Sequence, residues 1–229
     1  MAPTHRPEAA VPRDWRSFIH ANTRLLAPPL VPEIRLHLAE ESLPIWRKTE
    51  EELGEMNVEP PYWAFAWAGG QALARHLLDH PELVVGRTVL DLGAGSGVSA
   101  IAAARAGAAS VLAADIDPVA LVAARLNADA NGCAIETTTE DLLSWPARPA
   151  PDVVLVGDLF YERDLAERVL RFLEVSAAGG ALILVGDPQR SYFPRKRFRL
   201  VGEHGVPVTR ELEDAEIKRT AVWELTAPS

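Results

Sequence analysis

The sequence predicts an α/β fold: an open, mostly parallel β-sheet with helices on both faces, preceded by an N-terminal extension of helix and strand. Three observations carry this. Short apolar runs without polar alternation recur between helical segments, as strands buried on both faces require. One of them, Thr88 to Leu92, passes at once into Gly93-Ala94-Gly95-Ser96-Gly97 and then an alanine-rich segment, which reads as strand, tight turn and helix. Near the end the rhythm changes to strands with little helix between them, so the last pair is expected to be antiparallel.

In chain order, residues 1 to about 13 read as a frayed tail. Trp15, Phe18, Ile19, Leu25 and Leu26 are spaced for an amphipathic helix from Trp15 to Leu26, ending before Pro28-Pro29. Val31 to Leu38 alternates apolar and polar residues and predicts a half-buried strand, and the charged Leu43 to Leu53 a short helix. These form an extension over residues 1–58, packed on a domain over residues 59–229. At the junction, Tyr62, Trp63, Phe65 and Trp67 stand among small residues up to Gly69-Gly70. Such a segment can line a pocket with flat faces or anchor the extension by packing, and the pattern does not choose between them.

Leu73, Leu77 and Leu78 mark a helix over Gln71 to Leu78. After the glycine turn come a helix over Val98 to Ala106, a strand over Ser110 to Asp115, and a helix over Pro118 to Asn127 with proline in its first turn. Strands follow over Ile135 to Thr139 and over Asp152 to Val156, the second closed by Gly157-Asp158. Leu165 to Leu173 is a helix, Gly179-Gly180 a turn and Ala181 to Val185 a buried strand. The basic run Arg190, Arg195, Lys196, Arg197 and Arg199 reads as a solvated loop that could touch an acidic part of a partner. Phe198 to Val201, Val206 to Leu212 and Thr220 to Leu225 are the closing strands.

Composition narrows the function classes. A chain of 229 residues, 48% hydrophobic, fits one ordinary domain, and a formal charge of -9 gives no overall attraction to nucleic acid. No apolar run approaches the roughly 20 residues that span a bilayer, so no membrane partner is expected. Cys133 is the only cysteine. It excludes an internal disulfide and a cysteine-cluster metal site, and suits the reducing cytoplasm, or the mitochondrial matrix of a eukaryote. A monomer without metal is expected.

The glycine turn points to a nucleotide cofactor. Glycines permit positive φ and close backbone approach, and the helix that follows presents unpaired N–H groups to the same space. Asp115 ends the next strand about twenty residues on, where a carboxylate accepts from both ribose hydroxyls. Asp117 is better placed to cap the following helix. A dinucleotide turn wants a glycine or alanine where this chain has Val98. That leaves S-adenosylmethionine, supported by acids at successive strand ends: Asp91, Asp115, Asp141 and Asp158.

Val89 to Gly97 resembles the first motif of seven-strand S-adenosylmethionine-dependent methyltransferases, and Ala114 to Pro118 resembles their second-strand acidic motif. Pro61 to Ala64, Trp67 to Leu73, Gly157 to Tyr161 and Gly186-Asp187-Pro188 are similar, more narrowly, to the lysine methyltransferases of the electron transfer flavoprotein β subunit, and so is Pro32 to Leu38. The likeness runs from about Val31 to Leu225. It implies a Rossmann-like seven-strand methyltransferase sheet, mostly parallel with an antiparallel last strand. It also implies that Gly93, Gly95 and Gly97 pass under the methionine part of the cofactor, with Asp91 before them. Asp115 would hold the ribose, Asp141 would meet the adenine amino group, and Ile116 would add an apolar face. Trp67 would help close the methionine end, Gly157 would be a further cofactor-binding residue, and Trp145 would pack on adenine or serve as an ordinary core or surface tryptophan.

Asp158 and Tyr161 lie just beyond the fourth core strand, where an acceptor would enter. Asp158 could orient a lysine amine and Tyr161 supply a wall and a hydroxyl; alternatively Asp158 or Glu162 caps the next helix. A carboxylate beside an ammonium holds its proton, so Asp158 is not read as a strong base. The expected activity is protein-lysine methylation of the electron transfer flavoprotein β subunit, with S-adenosylhomocysteine as product. Rivals are methylation of another protein, such as a ribosomal protein, or of a small amine; a dinucleotide oxidoreductase; and a cofactor-binding scaffold without catalysis.

Overall fold

The computed structural model describes residues 14–40, 60–144, 151–207 and 217–226. The expected tail, the helix over residues 43–53, the domain boundary at residues 58 and 59, and Trp145 lie outside the described residues.

The first helix is shorter than its pattern. α1 (Trp15–Asn22) starts where the Asp14 carboxylate accepts from the Ser17 N–H and hydroxyl, and stops at the extended Thr23, whose hydroxyl donates to the Ile19 carbonyl. Leu25 and Leu26 belong instead to β1 (Arg24–Leu26), antiparallel to β2 (Leu36–Leu38). The strand expected from Val31 is thus confined to its end. Pro32 has no N–H to give a ladder, and the Ile34 N–H bonds back to the Val31 carbonyl at 3.0 Å, so both apolar side chains are buried from a turn.

The remaining elements fall close to their expected places: α2 (Ala68–Asp79), β3 (Thr88–Leu92), α3 (Val98–Arg105), β4 (Ser110–Ala114), α4 (Pro118–Ala130), β5 (Glu136–Thr138), β6 (Val153–Gly157), α5 (Arg163–Ala178) and β7 (Leu182–Asp187). β8 (Phe198–Pro207) and β9 (Ile217–Leu225) close the chain. Together β3 to β9 make a seven-stranded sheet in the order β5-β4-β3-β6-β7-β9-β8. β5, β4, β3, β6 and β7 are parallel neighbours, and β9 runs antiparallel to both β7 and β8. The reversed strand is the last in sequence, as expected. The strand expected from Phe198 runs on through Val206 to Pro207 as one strand, with a register shift between Leu200 and Gly202, and residues 208–212 of the next expected strand lie outside the described residues. Gly202 leaves room for a neighbour: a Cβ there would lie 3.0 Å from Nδ1 of His76.

Val153 to Val156 are all at 0% exposure, which only a strand covered on both faces allows. Leu73, Leu77, Ile101 and Leu155 pack together on one side of the sheet, and Val154, Val156, Leu173 and Trp223 on the other. Successive strands step one way from β3 to β5 and the other way from β6 to β7. The crevice at such a reversal opens at the carboxyl ends of β3 and β6.

Candidate active site

At that crevice β3 hands over to Gly93, Gly95 and Gly97, with φ of 68°, 50° and 78°. Residues with a Cβ avoid this left-handed region, which accounts for the alternation of glycines. Gly97 caps α3, and the Gly93 and Ala94 N–H groups donate to the Ala114 carbonyl at 2.8 and 3.0 Å, folding the turn over the end of β4. The buried Asp91 accepts the Ala100 N–H at 2.9 Å, satisfying a first-turn donor that α3 itself cannot. Burial pushes its carboxyl up to about 7 against the pull of that bond.

Just past β4, Asp115 accepts the Gly95 N–H at 2.9 Å on one oxygen and the Asp117 N–H at 3.0 Å on the other. Burial raises its pKa. A carboxylate offers about four acceptor sites, so each oxygen keeps one for a hydroxyl. Ile116 is 74% exposed, an apolar side chain left in water beside that acid. Asp117 caps α4 by accepting the Val119 N–H at 2.8 Å, as expected. Asp141, farther along the edge, accepts the Leu143 N–H and the Ser144 hydroxyl and pairs with Arg168 at 2.6 Å. The Ser144 bond first, and Arg168 with it, hold its pKa low. Asp141 therefore has a local structural job besides any contact with a ligand.

The opposite wall is built by the start of α2. Its first turn lies directly on β6 and β7, because Gly69 and Gly186 meet without side chains. A Cβ on Gly69 would run into the Gly186 carbonyl oxygen and stand 2.5 Å from Oδ2 of Asp158. Val98 packs on this same turn, against Gly70. Asp158 follows β6 at φ 58°, a left-handed conformation that aspartate tolerates better than most residues. Its Oδ2 accepts the Gly70 N–H at 3.1 Å, and its Oδ1 pairs with the Arg190 guanidinium at 2.9 Å. It does not cap α5, and neither does Glu162, which makes no side-chain cap bond.

Arg190 corrects the reading of the basic run as a solvated loop. Its guanidinium lies 5.8 Å from the Trp67 ring centroid, and its backbone N–H donates to Oδ1 of Asp187 at 2.8 Å. At the surface, Arg197 pairs with Glu174, Arg199 with Glu224, and Arg195 stands 5.1 Å from the Trp223 ring. These partners come from α5 and β9, distant in sequence. Asp187, the last residue of β7, is fully buried, and its Oδ2 has no hydrogen-bond partner among the described residues. Burial pushes its carboxyl up to about 6.

The aromatic junction both anchors and lines. Trp63 is 1% exposed and packs with Ile19, Ala120 and Leu126, holding the extension on α4. Trp67 turns to the crevice, its Nε1 donating to the Tyr62 carbonyl at 2.8 Å. The exposed Tyr62 ring bridges Trp67 and Tyr161, with centroids 6.2 and 6.4 Å away. Trp67, Asp91, Gly93, Gly95, Gly157 and Asp158 line one cleft. Asp115 joins it through its bond to Gly95, and Tyr161 stands at the aromatic rim; Ile116 and Asp141 are outside, and Gly97 faces Ala124. A hollow of about 420 Å³ at the other end of β4, beside Arg105, Asn131 and Cys133, gathers none of these residues.

Sequence reasoning assigned no role to Asp187 and misplaced Arg190, though an acid closing the apolar run Leu182 to Val185 is the signal that marked the other strand ends. It also passed over Asn127. This buried side chain accepts the His37 N–H at 2.7 Å and donates to the Ser96 carbonyl at 2.8 Å, joining β2 to the glycine turn.

Residues 72–186 match the family described as "Ribosomal protein L11 methyltransferase (PrmA)". The chain is 44% identical over 216 residues to the electron transfer flavoprotein β-subunit lysine methyltransferase of Xenopus laevis, a match covering 91% of this chain and 85% of that protein. The chain belongs to the electron transfer flavoprotein β-subunit lysine methyltransferases. The Homo sapiens protein of this family is 34% identical over 91% of the chain and 80% of its own length. The ribosomal protein L11 methyltransferase of Geobacter sulfurreducens is 38% identical, but over 74% of this chain and 56% of that protein. The solved ribosomal protein L11 methylase of Lactobacillus delbrueckii subsp. bulgaricus shares the fold, with a TM-score of 0.54 at 20% identity, over 89% of this chain and 100% of that one. Membership of the lysine methyltransferase family makes the chain a methyltransferase. Among the described residues no helix is long and apolar enough to cross a membrane.

Proposed function

We propose that the protein transfers the methyl group of S-adenosylmethionine to lysine side chains of the electron transfer flavoprotein β subunit. The observation that carries the reading is the placing of Asp158 between a glycine cradle and an aromatic rim. The family supports the acceptor, and the 85% coverage of the Xenopus laevis protein favours it over ribosomal protein L11.

The residues present fit the cofactor. A side chain at Gly93 would fill the cradle, its Cβ 2.7 Å from Leu159. Asp115 would take the ribose hydroxyls on its remaining acceptor sites, Ile116 would cover one face of adenine, and Asp141 would meet the adenine amino group. Trp67, Asp91 and Gly157 would enclose the methionine end. Bound there, S-adenosylmethionine supplies an electrophilic methyl: its bond to sulfur breaks with both electrons left on sulfur, giving S-adenosylhomocysteine, as the lysine nitrogen's lone pair forms the new bond.

The chain's own residues align a neutral amine and keep water away. Asp158 accepts a hydrogen bond from that amine. Tyr62, Trp67 and Tyr161 flank the lysine stem and attract its charge on entry. A chain of formal charge -9 complements a basic, lysine-bearing segment. The reaction is assigned to a monomer, in the cytoplasm or the matrix of a eukaryotic mitochondrion.

Calorimetry tests the cofactor: S-adenosylmethionine binds, and tight binding of NAD alone would overturn the reading. Asp158→Asn, which tolerates the same backbone conformation, lowers transfer of labelled methyl by about 100-fold while cofactor binding is kept. Full activity in that variant removes Asp158 from the site.

A further inference from the structure

A lysine amine attacks only when neutral, yet its ordinary pKa is about 10.4. A carboxylate in contact makes this worse, since an opposite charge within hydrogen-bond range favours the ammonium by about 1–3 pH units. Asp158 lines the crevice, and Asp187, fully buried, lies in electrostatic reach of it. Acidity that draws a lysine in would also keep it protonated.

We propose that Arg190 is a positioning residue that offsets the charge of Asp158, so that this carboxylate orients a neutral acceptor amine without holding it as an ammonium. The inference rests on the lysine-methylation reading. Arg190 is held at both ends, its backbone N–H on Oδ1 of Asp187 at 2.8 Å and its guanidinium on Oδ1 of Asp158 at 2.9 Å. The Trp67 ring lies 5.8 Å from the guanidinium. Both charged side chains of the pair are largely sheltered from solvent, 23% and 11% exposed, so water screens them little. A guanidinium stays charged at every working pH. Asp158 also accepts the Gly70 N–H on its other oxygen. It is thus already a satisfied carboxylate before an amine arrives, an acceptor with little reason to take a proton.

The charged and titratable groups around this pair come from several places. Asp187 of β7 is in electrostatic reach of Asp158, and Asp91 of β3 lines the same cleft. Tyr62, Glu162 and Asp115 gather farther out around Tyr161. With Asp158 and Asp187 ionised against Arg190, the immediate cluster keeps one negative charge, enough to attract a lysine. Without Arg190 it would keep two. The amine's proton leaves to solvent before attack, and the negative charge left behind decides how readily.

The test is the pH dependence of kcat with the electron transfer flavoprotein β subunit, whose rising limb reports loss of the acceptor's proton in the bound complex. Arg190→Gln moves that limb up by about one pH unit or more, so transfer is about tenfold slower below it and recovers at high pH. Arg190→Lys keeps the limb in place, and Asp187→Asn moves it down. A merely structural role for Arg190 would lower kcat at every pH and leave the limb unmoved, which overturns the proposal. Calorimetry with S-adenosylhomocysteine checks that each variant is folded. If Arg190→Gln does not fold, the downward shift in Asp187→Asn decides, and an unmoved limb there overturns the proposal as well. Substrate binding measured in two buffers of different ionisation enthalpy gives a second readout: the wild type releases a proton and Arg190→Gln does not. If the wild type transfers no methyl to this substrate, the underlying reading fails first; if it does and the limb stays fixed, only the role of Arg190 fails.

Discussion

Gly69→Ala separates close packing from helix propensity, because the two predict opposite signs. Gly69 is in the first turn of α2 and is absent from the positive-φ glycines, so alanine fits its backbone and propensity favours it by up to about 1 kcal/mol. The surroundings oppose it. The new Cβ would meet the Gly186 carbonyl oxygen and lie 2.5 Å from Oδ2 and 2.9 Å from Cγ of Asp158. Neither can yield cheaply, since one is strand backbone and the other is held by Gly70 and Arg190. Overpacking against fixed backbone falls in the upper part of its usual range, about 2–3 kcal/mol, and less the propensity gain this leaves a net loss of about 1–2 kcal/mol. In a chain of this size the melting temperature falls by about 2–8 °C. Relief requires Asp158 to move by about 1 Å, for which about a 100-fold loss of methyl transfer is expected. Thermal unfolding by circular dichroism and transfer of a labelled methyl group measure both. A melting temperature equal to or above the wild type's would refute the contact, and with it the account of why Gly69 and Gly186 are glycines.

Two further outcomes are expected. Asn127→Ala leaves the Ser96 carbonyl and the His37 N–H without their partner, a loss of about 2–4 kcal/mol that denaturant titration would register, together with weaker cofactor binding as the glycine turn loosens. His76, wedged between α2 and β8, is held down to about 4 by burial first, with His80 and His204 adding and Asp79 and Glu82 opposing. Its neutral form supports the fold fully above the unfolded value near 6.5, and that support drains as pH falls toward 4, by about 3 kcal/mol. Melting curves of His76→Gln should therefore depend less on pH than the wild type's between those limits; parallel curves would exclude His76 as the cause.

What was legible in the sequence follows from how each element is held. β3, β6 and β7 were readable because a strand covered on both faces is apolar up to the acid near its carboxyl end, and Val153 to Val156 are wholly so. The glycine turn was readable because left-handed φ excludes nearly every other residue. β2 and β5 are short, and their apolar pattern carries little; β2 exists because α4 offers Asn127 to its backbone. By pattern alone Trp63 and Trp67 could not be told apart, since the turn at Tyr62–Ala64 breaks any period that would aim them, and only the family resemblance singled out Trp67. The pairing of Asp158 with Arg190 depends on β6 and β7 lying side by side, a fact of sheet order that neither residue announces. Asp187 carried the same strand-end signal as Asp115 and Asp158, and it gained a role only once its unmatched oxygen and its bond to the Arg190 backbone could be seen.

The central claim is that this chain methylates lysines of the electron transfer flavoprotein β subunit. Its most direct test is mass spectrometry of recombinant β subunit incubated with the enzyme and S-adenosylmethionine, with ribosomal protein L11 in a parallel reaction. The account predicts methyl mass gained on lysines of the β subunit by the wild type, and sharply less by Asp158→Asn. A β subunit left unmodified while L11 gains methyl groups would contradict it.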